Sequence, residues 1–162
     1  MERQEAVYRK LEEMDIPYEV EHHNAVFTIE EMEELGLPFQ EDVVKNLFLR
    51  DDKGKEYYLV VLMKDKKSDL KALRHAIGSR PLSFASEERL EKVLKLEKGA
   101  VTPFGILNDE DVKVTVVFDR DLREKEKVAV HPNDNRATAW LRLADLVRMI
   151  EENGNRVLYA EI

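Results

Sequence analysis

Apolar residues recur every three or four positions near the start of the chain. Val7, Leu11 and Met14, within residues 4–14, predict an amphipathic helix that ends before Pro17. Tyr18 to His22 reads as a short strand. Thr28-Ile-Glu-Glu31 has the form of a capping box and opens a short acidic helix stopped by Gly36 and Pro38. The pattern then changes. Val43 to Arg50 is an apolar run, Asp51-Asp52-Lys53-Gly54 is turn chemistry, and Tyr57 to Met63 is a second apolar run; together they predict a hairpin. Ser68 is placed to cap a helix carrying Leu70, Leu73 and Ile77 on one face and closed by Gly78. Leu82 to Phe84 predicts a brief strand, and Ser86 followed by Glu87 and Glu88 starts another helix with acids at its positive end. Residues 98–110 read as a loop. Val112–Phe118, Lys127–His131 and Ala137–Leu141 read as strands. Leu143, Leu146, Val147 and Ile150 mark a last helix, ending at Gly154 before a strand at Arg156–Ala160. Many short strands with irregularly spaced helices predict an α+β fold rather than a regular βαβ array.

No repeat, low-complexity tract or linker divides the 162 residues, so residues 1–162 are expected to form one domain. Hydrophobic residues make up 43% and charged residues 37%, a globular composition with a heavily charged surface. The absence of cysteine excludes a disulfide scaffold, a Cys-ligated zinc site and thiol catalysis. No apolar run approaches the roughly 18 residues of a membrane span, and the first residues do not resemble a signal peptide, so a cytoplasmic protein with no membrane partner is expected. The net charge of −8 argues against general binding of DNA. That charge is unevenly spread. Between Lys64 and Arg80 six cations face only Asp65 and Asp69, which makes either a solvated helix face or a confined patch for a phosphate backbone.

Three places carry candidate chemistry. Lys45 and Asn46 interrupt the apolar run from Val43 to Leu49. On a strand Lys45 shares a face with Val43, Leu47 and Leu49, and Asn46 shares the other with Val44 and Phe48. One polar group is therefore forced inward, where an unpaired amide costs roughly 1–3 kcal/mol and a charge costs more. A lysine at a strand edge that simply reaches water is the competing explanation. Gly99-Ala100-Val101-Thr102-Pro103 is a bend in which glycine admits close approach and proline stiffens the backbone, so that main-chain groups can hold a small polar ligand; an ordinary turn reads the same way. His131-Pro132, followed by Asn133-Asp-Asn-Arg136, lies near a strand end, where a histidine is usually structural. His22 and His23 point to opposite faces of a strand and lack a third ligand, so no metal site is expected. Phosphate-loop, dinucleotide and Ser-hydrolase motifs do not occur.

Five segments occur in order: Val44-Lys-Asn-Leu-Phe-Leu-Arg-Asp51, Tyr57-Tyr-Leu-Val-Val-Leu62, Leu82-Ser-Phe-Ala-Ser86, Gly99-Ala-Val-Thr-Pro-Phe-Gly105 and His131-Pro132. Together, over about residues 2–160, the chain resembles the YbaK-type aminoacyl-tRNA editing domains, free-standing relatives of the insertion domain of bacterial prolyl-tRNA synthetase. Within them it looks most like the alanyl-tRNA(Pro) deacylases. The resemblance implies a mixed, mostly antiparallel, barrel-like sheet flanked by helices. Its cleft would hydrolyse the ester joining a mischarged amino acid to the terminal adenosine of tRNA, without a cofactor. Lys45 matches the family's essential lysine, Gly99 to Pro103 the loop that holds the aminoacyl group, and Asn46 and His131 further pocket positions. Arg136 departs from the pattern, because relatives commonly carry threonine there, and this bears on the shape of that wall.

An aminoacyl ester is already activated, so the enzyme must mainly position water and stabilise developing negative charge. A partly desolvated Lys45 ammonium and fixed N–H groups suit that task. No side chain stands out as a general base, which leaves the substrate's ribose hydroxyl or a backbone carbonyl to activate water. A synthetase pocket built for proline cannot strongly exclude the smaller alanine, the usual reason for a second, hydrolytic sieve. The mischarged tRNA acceptor end is the expected partner, with Lys66, Lys67 and Arg80 on its backbone and prolyl-tRNA synthetase as a further candidate. Two alternatives stand beside this: deacylation of another small amino acid such as Cys or Ser, and a non-catalytic module that senses aminoacyl-tRNA.

Overall fold

The computed structural model describes residues 2–162. Eight strands and five α-helices alternate irregularly, as their spacing predicts: α1 (Glu2–Glu13), β1 (Tyr18–His22), α2 (Ile29–Glu34), β2 (Val44–Asp51), β3 (Tyr57–Met63), α3 (Leu70–Ile77), β4 (Leu82–Phe84), α4 (Glu87–Leu94), β5 (Val114–Asp119), β6 (Lys127–Val130), β7 (Ala137–Arg142), α5 (Leu143–Glu152) and β8 (Val157–Ala160). Thr28 caps α2 as the capping box requires, its hydroxyl accepting the Glu31 N–H at 3.1 Å.

Two sheets result. One has the order β1-β7-β6 and is antiparallel; the other has the order β4-β2-β3-β5-β8. In the second sheet β2 runs antiparallel to β3 and β4, whereas β3, β5 and β8 are mutually parallel. The barrel expected from the family resemblance is not closed. Among the described residues the sheets meet edge to edge only through a parallel bridge between Val43 and Ala129. Side chains from their facing surfaces fill the gap instead: Phe48, Val61, Val116 and Phe118 from one and Val128, Val130, Ala139 and Leu141 from the other, with Val7 and Leu11 of α1 and Leu146 and Ile150 of α5. The opposite face of the larger sheet carries Leu49, Val60, Leu62 and Val117 under α3. With both faces covered, β3 is apolar along nearly its whole length, which explains its unbroken run in the sequence.

Three local expectations change. The residue capping α3 is Asp69, not Ser68; its carboxylate accepts the Ala72 N–H at 3.0 Å. The stretch 98–110 is not all loop, because Pro103–Asn108 forms a 3-10 helix. Strand β5 begins at Val114, since Val112 sits at φ +52° and Asp109 takes the N–H groups of Lys113 and Val114 at 3.0 and 2.9 Å.

Candidate active site

A cleft of about 250 Å³ opens where the start of β2 meets the end of β6, beneath the segment that leads into α2. It is bordered by Lys45, Asn46, Gly99, Val101 and His131, five positions singled out in the sequence. The alternation along β2 is as expected: Asn46 lies with Val44 and Phe48 on the main-core side, and Lys45 lies with Leu47 and Leu49 on the α3 side. Both still border the cleft, because it sits at the beginning of the strand. Among the described residues no carboxylate lines it.

The Lys45 ammonium is partly buried and donates to the Lys66 carbonyl at 2.8 Å. Asn46 Oδ1 is buried with no hydrogen-bond partner among the described residues. An unpaired buried acceptor is a standing cost, of about 1–3 kcal/mol, that a bound donor would relieve. His131 Nδ1–H donates to the Ala137 carbonyl at 2.9 Å, which leaves Nε2 with the lone pair in the neutral ring. Burial pushes the His131 pKa below the ordinary imidazole value, against the upward pull of that carbonyl. The ring is thus neutral near pH 7 and offers an acceptor.

Gly99 has φ +89°, and a Cβ added there would lie 2.5 Å from Phe27 Cδ1. Glycine therefore lets the Phe27 ring close against the bend, although Phe27 itself is 63% exposed at the mouth of the cleft. The N–H groups of Gly99 and Val101 donate to no protein acceptor among the described residues. Ala100, Thr102 and Pro103 do not line the cleft. Ala100 borders a neighbouring polar pocket, Thr102 caps the 3-10 helix by accepting the Phe104 N–H at 3.4 Å, and Pro103 is buried at that helix's first position. They hold the bend; Gly99 and Val101 face the cleft.

Residues 23–149 match the family model of the aminoacyl-tRNA editing domain. The chain is 55% identical over 155 residues to the "Prolyl-tRNA editing protein ProX" of Acetoanaerobium sticklandii, covering 96% of this chain and 94% of that one. It belongs to the aminoacyl-tRNA editing domain family. A mouse (Mus musculus) relative, "Prolyl-tRNA synthetase associated domain-containing protein 1", is 36% identical over 151 residues, covering 91% of this chain and 89% of its own. A solved structure described as a candidate trans-editing enzyme for prolyl tRNA synthetase shares the fold, with a TM-score of 0.74 at 21% identity, over 99% of this chain and 97% of that one.

Around this editing-domain cleft, four residues emerge that the sequence did not single out as ligand-facing. Phe27, Ile29 and Met32 wall it from the α2 side, and Thr138 does so from β7. Thr138 Oγ1 lies 2.8 Å from His23 Nε2, and His23 Nδ1–H donates to the Asn24 carbonyl at 2.7 Å. His23 thus ties the α2 approach to β7. Its sole sequence signal was the His22-His23 pair, weighed as a metal site; no group of three or more His, Asp or Glu among the described residues is placed to hold a metal ion. Arg136 does not line the cleft. Its guanidinium holds both Asp134 oxygens at 3.0 and 2.7 Å in the neighbouring pocket, and keeps that carboxyl well below the usual carboxylate range.

The three cations expected on the tRNA backbone are not equivalent. Arg80 forms a two-point bond with Asp52 at 2.6 and 3.0 Å. Lys66 binds Asp119 and Asp121 at 2.8 and 2.6 Å. Burial alone would lower the Lys66 pKa, but the two carboxylates outweigh it and leave it above the ordinary lysine value. Lys67 is exposed and forms no ion pair among the described residues.

Proposed function

We propose that this editing-domain protein removes alanine from mischarged tRNA(Pro) in trans, by hydrolysing the aminoacyl ester in the cleft beside Lys45. The observation that carries this reading is the meeting of Lys45, Asn46, His131 and the Gly99–Val101 bend around one small cleft. The name of the 55%-identical relative supports prolyl-tRNA as the tRNA involved.

In this reading water attacks the ester carbonyl, and the free N–H groups of Gly99 and Val101, with the Lys45 ammonium, meet the negative charge that grows on its oxygen. Asn46 Oδ1 and His131 Nε2 supply acceptors for the substrate's α-amino group and for the attacking water. As the tetrahedral intermediate collapses, the ester C–O bond breaks, alanine leaves as the free acid, and a proton from the attacking water passes to the ribose oxygen. The lining contains no carboxylate to act as base, so the groups that can relay that proton are the neutral His131 Nε2 and the neighbouring ribose hydroxyl. Selectivity in this reading follows from size: the space beside the apolar wall of Ile29, Met32 and Val130 takes a methyl group but not the larger proline ring.

Lys67 serves as a contact to the acceptor-end phosphates, and a docking surface on prolyl-tRNA synthetase belongs to the same reading. A cytoplasmic site of action fits a chain in which no helix of the described residues is long and apolar enough to cross a membrane.

The test is a deacylation panel on tRNA(Pro) charged with Ala, Ser, Cys and Pro, with chelator present. Alanine should be released fastest and proline left in place; equal rates for all four would overturn the alanine assignment. Lys45→Ala should lower turnover by about 100-fold or more with the fold retained, the scale seen when one charge-stabilising donor is removed.

A further inference from the structure

The carbonyl that receives the Lys45 ammonium belongs to a turn secured at both ends by one buried acid. Nζ of Lys45 donates to the Lys66 carbonyl at 2.8 Å, its sole hydrogen bond among the described residues. The turn leaves β3 at Met63, whose N–H donates to Asp119 Oδ2 at 3.2 Å. It closes when the Lys66 N–H donates to the Met63 carbonyl at 3.1 Å. The Lys66 side chain then returns to the same carboxylate, Nζ to Asp119 Oδ1 at 2.8 Å. Asp119 is fully buried at the end of β5, and its Oδ1 also accepts the Asp121 N–H at 3.1 Å, so it cannot swing away.

The Lys66 ammonium has three N–H donors and three acceptors: Asp119, Asp121 and the Ile162 main-chain oxygen at 3.0 Å. It has none left for a phosphate. A plain staple between β3 and β5 is superfluous here, because those strands already pair in register from Tyr57–Val114 to Val61–Phe118. What the staple adds lies beyond the last paired residue, in the direction of the Lys66 carbonyl. A flexible four-carbon side chain such as that of Lys45 gains a defined position from such an acceptor, and a displacement of about 1 Å at a reacting group can cost about 100-fold in rate.

We propose that Lys66 and Asp119 are positioning residues for the deacylation, acting through the Lys66 carbonyl to aim the Lys45 ammonium at the ester. This rests on Lys45 being the group that meets the ester. It also reverses the expected role of Lys66: the side chain orders the site instead of touching tRNA.

The experiment measures kcat, KM and the salt dependence of KM on Ala-tRNA(Pro) for Lys66→Met, Lys66→Arg and Asp121→Asn, with unfolding midpoints recorded alongside. Lys66→Met should lower kcat tenfold or more while KM stays within twofold and its salt slope is unchanged. Lys66→Arg, which can still reach Asp119, should recover most of the lost kcat. Asp121→Asn leaves the Asp119 bond in place and should lower kcat two- to threefold; it remains informative if Lys66→Met does not fold. A rise in KM with a flatter salt slope in Lys66→Met would overturn the proposal in favour of a phosphate contact. Unchanged kcat in Lys66→Met, or in Asp121→Asn if that is the variant that folds, would overturn it as well. If Lys45→Ala abolishes turnover and Lys66→Met does not reduce it, the positioning role fails while the lysine-centred reaction stands; turnover persisting in Lys45→Ala would remove the reaction itself.

Discussion

Gly99 makes the most specific demand on a single position. Its φ of +89° strains any other residue, and the first added carbon would meet the Phe27 ring at 2.5 Å. Gly99→Ala should therefore push Phe27 off the bend and lower kcat/KM by tenfold or more, with a stability loss of about 1–3 kcal/mol by urea unfolding. Asn46 gives the opposite pattern. Its unpaired Oδ1 already burdens the folded state, so Asn46→Ala should leave the melting temperature unchanged or raised while activity drops. His131 adds a pH signature. The unfolded ring takes up a proton as pH falls through about 6.5, whereas burial delays this in the folded protein. Between those two pKa values the unfolded state binds more protons, so stability declines as pH drops below about 6.5. Urea midpoints at pH 7.5 and pH 5.5 should differ less for His131→Gln than for the wild type. Asp134 acts in a separate window: its depressed pKa stabilises the fold above about pH 4, and that contribution fades only as pH falls further.

At the scale of elements, the hairpin is the unit that builds the site. Pairing of Lys45 with Leu62 and Asn46 with Val61 puts the two polar groups on opposite faces, and a slip of one residue would exchange them. The apolar runs and the Asp51–Gly54 turn make this register legible in the sequence. Helix starts were less legible where two cap-forming residues adjoin. Ser68 and Asp69 both satisfy the pattern, and only the path of the chain leaving the Met63–Lys66 turn selects Asp69. Asp69→Ala should cost about 1 kcal/mol and Ser68→Ala less than about 0.5 kcal/mol in urea unfolding. Asp109 carried no sequence signal, because nothing local distinguishes it from the other acids of residues 109–111. Buried, it accepts from Lys113, Val114 and Asn155, so it stitches β5 to the turn before β8.

Over the whole molecule, charge has to be read in three dimensions. The surplus between Lys64 and Arg80 is one patch along the chain, but folding pairs Lys66 with buried Asp119 and exposed Asp121, and Arg80 with Asp52. Lys67→Ala should weaken the salt dependence of KM, by up to about one unit of log–log slope, and Arg80→Ala should weaken it less. Deacylation measured between low and moderate salt checks both.

The periodicity and turn residues of this chain were enough to determine its strands, its helices and the α+β class, because burial of apolar side chains acts at every turn and every second residue of the local backbone. The ordered segments around Lys45, Gly99 and His131 were enough to determine its family. Tertiary structure alone decided that the two sheets face each other without closing, that Phe27 and Thr138 line the cleft with His23 bonded behind Thr138, and that Lys66 pairs with Asp119. Those outcomes depend on contacts between residues far apart in sequence, such as Lys66 with Asp119 and His23 with Thr138, and no local pattern encodes which distant partner a side chain will meet.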